Sequence, residues 1–226
     1  MHDADVGADI VERVMARRGR YHIYDQIEAA KSALIVVDMQ NAFCKPGAPA
    51  EVPASRGIVA NINALAKTLR GAGGQVIWIV SVFDARSGRS DWENFFNHIV
   101  AADVRERTMA NMAPGGDGTF LWHEMDDHDE DSLIEKNRYS CFAPGASQLE
   151  RILRSRGVET VIITGTKTNI CCETTARAAF DMDFNVIMAS DCCAALSDRE
   201  HVAALENIIQ QFGDVMTSEE IAERLA

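Results

Sequence analysis

The sequence predicts a single α/β domain: a three-layer α/β/α sandwich whose doubly wound sheet is mostly parallel. Three observations carry this prediction. Short apolar, β-branched runs recur at 33–37, 75–83, 160–164 and 184–189. They are too short for helices, and too continuously apolar for strands with one wet face. Stretches of helical period stand between them, at 58–70, 146–156, 173–181 and 198–212. Strand and helix in alternation imply parallel strands with crossover helices on both faces. Finally, no repeat, low-complexity linker or block of charge divides the chain.

Taken in order, residues 8–17 form an amphipathic helix with Ile10, Val11 and Val14 on one face, packed on the body or on a partner. Residues 18–30 are a connector. The arm 1–31 therefore stands before the main domain, 32–226. The first strand, 33–37, ends at Asp38. A loop rich in proline spans 39–53. The helix 58–70 carries Ile58, Ile62, Leu65 and Leu69 on one stripe and stops at Gly71, Gly73 and Gly74. The strand 75–83 follows. Residues 84–120 carry the weakest pattern; Trp92, Phe95 and Phe96 within them suit a lid, a pocket wall or ordinary helix packing. A short strand at 132–135 ends at Lys136, and the helix 146–156 closes at Gly157.

The strand 160–164 is ended by Gly165, with Thr168 and Asn169 as helix N-cap types before the helix 173–181. After it come the strand 184–189, the helix 198–212, an edge strand at 214–216, and a last helix at 218–225. Ser218 and the acidic residues after it read as that helix's cap and first turn.

A chain of 226 residues buries roughly 70–75% of its unfolded surface and needs no metal or disulfide staple. The net charge of −12 argues against nucleic acid and anionic membranes as partners. No apolar run approaches membrane-spanning length, and the first residues lack a signal-peptide core. The six cysteines include two adjacent pairs, Cys171–Cys172 and Cys192–Cys193, which suit neither a disulfide framework nor the spacing of a zinc site. A reducing, cytoplasmic setting is expected.

Three apolar strands end in a reactive side chain: Asp38, Lys136 and Cys171. In a parallel sheet all carboxyl ends share one edge, where ligands bind near the switch in strand order. If the strands are neighbours, the three groups converge. Cys171 then sits where a strand turns into a helix, a place whose free N–H groups and dipole favour a thiolate. Asp38 can take the thiol proton, and Lys136 supplies positive charge. Each residue also has an ordinary role open to it: buried core cysteine, turn aspartate, solvated lysine.

Asp38 after the first strand, Lys136 after a middle strand, and the segment Gly165-Thr166-Lys167-Thr168-Asn169-Ile170-Cys171 together resemble the isochorismatase-like cysteine hydrolases, from about residue 32 to 213. The resemblance implies that family's hydrolase fold and a catalytic triad of Asp38, Lys136 and Cys171. It implies a cis peptide at Thr166–Lys167 and an oxyanion hole made by the N–H groups of Lys167 and Cys171. It also implies a homodimer or homotetramer and no cofactor. Two positions depart from the family's habit: Lys167 is a long cation where small residues are frequent, and Cys172 stands where an aliphatic residue is common.

The segments 32–43, 136–140 and 153–157, with Thr168, Asn169 and Glu173, are most similar to the branch that hydrolyses ureidoacrylate, biuret, triuret and N-carbamoyl amino acids. The resemblance thus implies a metal-independent amidohydrolase that works through a thioester-like acyl-enzyme, releases ammonia, and takes a small polar ureido, carbamoyl or amide substrate. Asn41, Phe43, Arg138, Tyr139 and Asn169, beside the triad, are the expected substrate contacts, with Trp92 to Phe96 closing over them.

Other candidates are weaker. The acidic stretch 123–131 is expected to be solvated rather than metal-binding, and Asp191 to cap a turn. No histidine is placed to pair with Cys171. Two rival functions remain. One is vinyl ether hydrolysis of the isochorismatase type, which ammonia release across an amide panel separates. The other is a noncatalytic thiol-based redox sensor, which a trapped acyl adduct on Cys171 separates.

Overall fold

A computed structural model describes residue 2 and residues 5–86 and 89–226. Its strands are β1 Ser32–Val37, β2 Gln75–Ser81, β3 Ala85–Arg86, β4 Arg89–Ser90, β5 Ser132–Lys136, β6 Thr160–Thr166, β7 Asn185–Ala194 and β8 Asp214–Met216. Its helices are α1 Ala8–Arg18, α2 Asn41–Cys44, α3 Val59–Gly71, α4 Glu93–His98, α5 Ala102–Asn111, α6 Leu149–Ser155, α7 Glu173–Asp181, α8 Asp198–Asn207 and α9 Ser218–Arg224. Six strands form one sheet in the order β5-β2-β1-β6-β7-β8, every pair parallel. The expected mostly parallel sheet is thus wholly parallel; β3 and β4 make a separate antiparallel hairpin.

Strand alternation divides the core between two faces. Leu34, Val36, Val76 and Trp78 pack with Ile62, Leu65 and Leu69 of α3 and Ile221 of α9. Ala33, Ile35, Ile77 and Ile79 point the other way. They pack with Ile10 and Val14 of α1, Leu149 and Leu153 of α6, Ala176 and Ala179 of α7 and Leu205 of α8. The N-terminal helix therefore lies on the body of its own chain. Strands covered on both faces have no wet side, which is why β1 and β6 are apolar runs buried throughout.

Several boundaries differ from the sequence reading, each for a physical reason. Gly165 does not end β6. Its φ of 104° lets the strand continue to Thr166, with a shift of register against β7. β7 runs on to Ala194 and takes Asp191 into the strand. There Asp191 accepts from the Ser218 N–H and hydroxyl at 2.7 and 2.6 Å, which ties it to the start of α9. The cap of α9 is Thr217 rather than Ser218, in a reciprocal box with Glu220.

Thr168 and Asn169 cap nothing. Residues Thr168–Cys172 wind as a π-helical turn, and the Thr168 hydroxyl is engaged by His201 Nδ1 of α8 at 2.9 Å. The helix expected at 198–212 likewise ends in a π turn, Ile208–Phe212. The proline-rich loop holds the single turn α2, and residues 84–120 resolve into the hairpin, α4, α5 and a 3-10 turn at Asp117–Thr119. The acidic stretch is not simply solvated: Asp131 is buried against Arg70 at 2.8 Å and accepts from Trp78 Nε1 at 2.8 Å.

Candidate active site

The site forms on the rim where strand order reverses. The chain passes from β1 to β2 on one side, then returns past β1 to β6 on the other, so the switch lies between β1 and β6. Asp38 follows β1 and adopts φ 57°, a left-handed conformation that aspartate tolerates better than most residues. Cys171 lies in the turn after β6. Between them β1 and β6 pair in register as far as Val37 and Gly165. A Cβ added to Gly165 would stand 2.0 Å from the Val37 carbonyl oxygen, so a side chain there would push the two strands apart.

Lys136 comes from farther away. It ends the edge strand β5, and β2 stands between β5 and β1. Neighbouring strands lie about 4.8 Å apart, so two steps amount to roughly 10 Å, a gap that calls for a side chain of lysine's length. Lys136 Nζ reaches Asp38 Oδ2 at 2.9 Å, Ser81 Oγ at 2.8 Å, the Arg138 carbonyl at 3.2 Å and Cys171 Sγ at 3.6 Å. Ser81, last residue of β2 and paired in register with Lys136, fills the interval. An ammonium can only donate, so the Ser81 oxygen accepts from Lys136, and its own proton goes to Asp38 Oδ1 at 2.8 Å. Gln40 holds Ser81 by its backbone: its Oε1 accepts from the Ser81 N–H at 2.6 Å, and its Nε2 donates to the Ser81 carbonyl at 3.0 Å. The sequence reading missed both residues.

Asp38 is 0% exposed, Lys136 2% and Cys171 5%. Burial alone would push the Lys136 ammonium down; the Asp38 carboxylate beside it outweighs this and holds it up. Burial also pushes the Cys171 thiol well up, Lys136 opposes this, and Asp38 adds to the rise. Burial thus works against the thiolate expected at the strand-to-helix turn and outweighs the opposing pull of the Lys136 ammonium.

The isochorismatase domain model matches residues 32–220, most of the chain. The chain belongs to the isochorismatase family. A ureidoacrylate amidohydrolase of Stutzerimonas stutzeri is 33% identical over 212 residues, which cover 88% of this chain and 85% of that protein. The crystal structure of a cysteine hydrolase from Pseudomonas syringae pv. phaseolicola superposes with a TM-score of 0.79 at 28% identity, covering 91% of this chain and 96% of that one. An N-carbamoylsarcosine amidase from Thermoplasma acidophilum, at 24% identity, shares the fold with a TM-score of 0.66 over 84% of this chain and 97% of that one.

In this isochorismatase-family chain the rim opens into a cavity of about 480 Å³ lined by Ser81, Lys136 and Cys171. Phe43, Arg138, Tyr139 and Lys167, all singled out from the sequence, line it as well. Two other expected contacts do not. Asn41 is turned outward, its amide donating to the Asp117 carbonyl at 3.1 Å. Asn169 lies in the π turn, its Oδ1 buried without a hydrogen-bond partner. Trp92 and Phe95 line the cavity, while Phe96 faces the core.

The peptide Thr166–Lys167 is cis. Cys172 is fully buried, with its sulfur 3.6 Å from the Thr164 carbonyl, so the two adjacent cysteines face opposite environments. Among the described residues no group of three or more His, Cys, Asp or Glu side chains is placed to hold a metal ion.

Proposed function

We propose that this chain is a cysteine amidohydrolase that cleaves a C–N bond in a small ureido, carbamoyl or amide compound. The observation that carries the reading is the buried Asp38–Lys136–Cys171 cluster opening on one cavity through its sulfur. The likeness to an enzyme named ureidoacrylate amidohydrolase supports the substrate class.

In this reading the substrate carbonyl sits above Cys171. Asp38 takes the thiol proton as sulfur attacks carbon, so the thiolate never stands free in the dry site. Lys136, within reach of both the Asp38 carboxylate and the sulfur, offsets the charge that then builds on sulfur. The carbonyl oxygen becomes an oxyanion held by the N–H groups of Lys167 and Cys171, where one such donor contributes about 3 kcal/mol. Collapse breaks the C–N bond, and the proton on Asp38 leaves with the nitrogen as ammonia or an amine. Water, deprotonated by Asp38, then cleaves the acyl thioester and restores the thiol. From a ureido substrate the released acid is a carbamate, which decays to amine and carbon dioxide.

A thiol sensor is disfavoured because Cys171 is the one cysteine among the cavity's described lining residues, so no second thiol there stands ready to close a disulfide with it. The test is ammonia release across a panel of ureido compounds and amides, with mass spectrometry of a trapped adduct on Cys171. Adduct and ammonia together are expected. Vinyl ether cleavage without ammonia, or an adduct on another cysteine, would sink the reading.

A further inference from the structure

Resting on the hydrolytic reading and narrowing it, we propose that the substrate is a carboxylate bearing an apolar body, an N-carbamoyl or amide derivative of an acid with an aromatic or branched aliphatic side chain. Of the compounds expected from the sequence, the smallest and wholly polar ones, such as biuret, fit this cavity poorly. The polar lining is Ser81, Thr108, Lys136, Arg138, Tyr139 and Lys167, with Lys136 Nζ 3.6 Å from the Cys171 sulfur. The rest of the lining is apolar, chiefly Phe83, Trp92, Phe95, Val100, Val104 and Met112. At about 480 Å³ the cavity falls within the roughly 300–1,000 Å³ that takes drug-sized ligands. A ureido group with nothing attached leaves most of that wall facing water.

The wall is built, not collapsed. Trp92 stacks on Phe95 with ring centroids 4.9 Å apart and meets Tyr139 edge-on at 4.7 Å, while Phe83 stands edge-on to Phe96, itself in the core, at 5.3 Å. Rigid rings that keep an apolar face toward a cavity are a surface for an apolar group.

Charge supplies the second half. Lys136 has Asp38 as its counter-charge, but among the described residues the other two cations of the lining have none. Lys167 is half-buried, and its side chain makes no hydrogen bond or ion pair among the described residues. Arg138 lies over the Trp92 ring at 5.2 Å, and its guanidinium donates only to the backbone carbonyls of Asn137 and Asp91. No acidic residue is among the described lining. In a chain of net charge −12, two uncompensated cations beside the nucleophile call for an anionic ligand. With the carbonyl over Cys171, a carboxylate between Lys167 and Arg138 points the remaining substituent at the apolar wall.

The experiment uses the full chain carrying Cys171→Ala, titrated by calorimetry with the N-carbamoyl derivatives of glycine, alanine, leucine and phenylalanine. The matching alcohols, in which CH₂OH replaces the carboxylate, are titrated alongside. Kd is expected to fall about 10- to 100-fold from the glycine to the phenylalanine compound. Loss of the carboxylate is expected to raise Kd about tenfold or more. Adding Phe95→Ala should flatten the first trend and Lys167→Met the second. A Kd indifferent to side-chain size, or equal for acid and alcohol, overturns the proposal.

Wild-type turnover of the same compounds separates this inference from the reading beneath it. Ammonia released fastest from the glycine compound overturns the apolar preference and leaves hydrolysis standing. Tight, size-dependent binding with no ammonia from any compound sustains the binding preference and removes the hydrolytic reading.

Discussion

Cys171 and Cys172 are neighbours in sequence, yet one sulfur meets the cavity and the other the Thr164 carbonyl. Cys171→Ala should abolish ammonia release while the circular dichroism and melting temperature stay close to wild type. Cys172→Ala should retain turnover and lose about 1 kcal/mol of stability from lost packing, read by urea denaturation. The reverse pattern would reassign the nucleophile. Asp38→Asn and Lys136→Ala should each slow single-turnover acylation by about 10²–10⁴-fold, the usual contribution of a general base. Ser81→Ala removes the one hydroxyl that joins them. It should lower kcat by about tenfold and shift the acid limb of the pH–rate profile, a shift that a purely structural loss would not produce. Asp38 and Lys136 were legible because each closes a strand's run, and Cys171 because it lies in the turn between such a run and a helix, places where a charged or nucleophilic side chain stands out. Ser81 was not, because it lies inside the run 75–83 and gains its role only when β2 is seated between β1 and β5. Asn41 misled for a related reason: nearness to the triad in sequence does not fix which way an amide turns, and Asp117 claimed it.

Among the elements, β6 depends most on a single residue. Gly165 lies opposite Val37, close enough that a methyl group would collide with backbone, at a φ that L side chains rarely adopt. Gly165→Ala should destabilise by more than about 2 kcal/mol, measured as a lowered urea midpoint at unchanged slope. The activity that survives should also be reduced, because the same shift moves Cys171 away from Asp38. An unchanged midpoint would show that β1 and β6 can part without cost. The strands and long helices were legible from apolar period, since burial on both faces writes continuous runs. The segment between β2 and β5 was not. Its helices α4 and α5 are short, and its aromatics serve a cavity rather than a face of the sheet, so no single period marks them.

Across the molecule, acid stability reports on the support behind the turn that carries Cys171. His201 of α8 is 2% exposed and holds the Thr168 hydroxyl. Its pKa is lowered to about 4, chiefly by burial and then by the nearby His2. Between the ordinary value of about 6.5 and about 4, the unfolded chain binds a proton that the folded chain refuses. Stability from this residue is therefore complete above about 6.5 and lost as pH falls toward 4. Between pH 7 and pH 5 the loss is about 2 kcal/mol. Urea denaturation at the two pH values should show His201→Gln to be less acid-sensitive than wild type by about that amount. Equal slopes would mean that His201 takes up a proton in the folded state.

Most of the apolar cavity wall, from Phe83 to Met112, comes from one stretch of chain, and that stretch contains none of Asp38, Lys136 and Cys171. The fit to a substrate's apolar body and the reacting groups are thus written largely in separate parts of the gene. Descent with exchange of that one cassette would hand a lineage a new diet while its chemistry passed on unaltered. The same division offers the protein engineer a place to cut: grafting the corresponding stretch of a relative between β2 and β5 should transplant preference and leave the reacting groups in place.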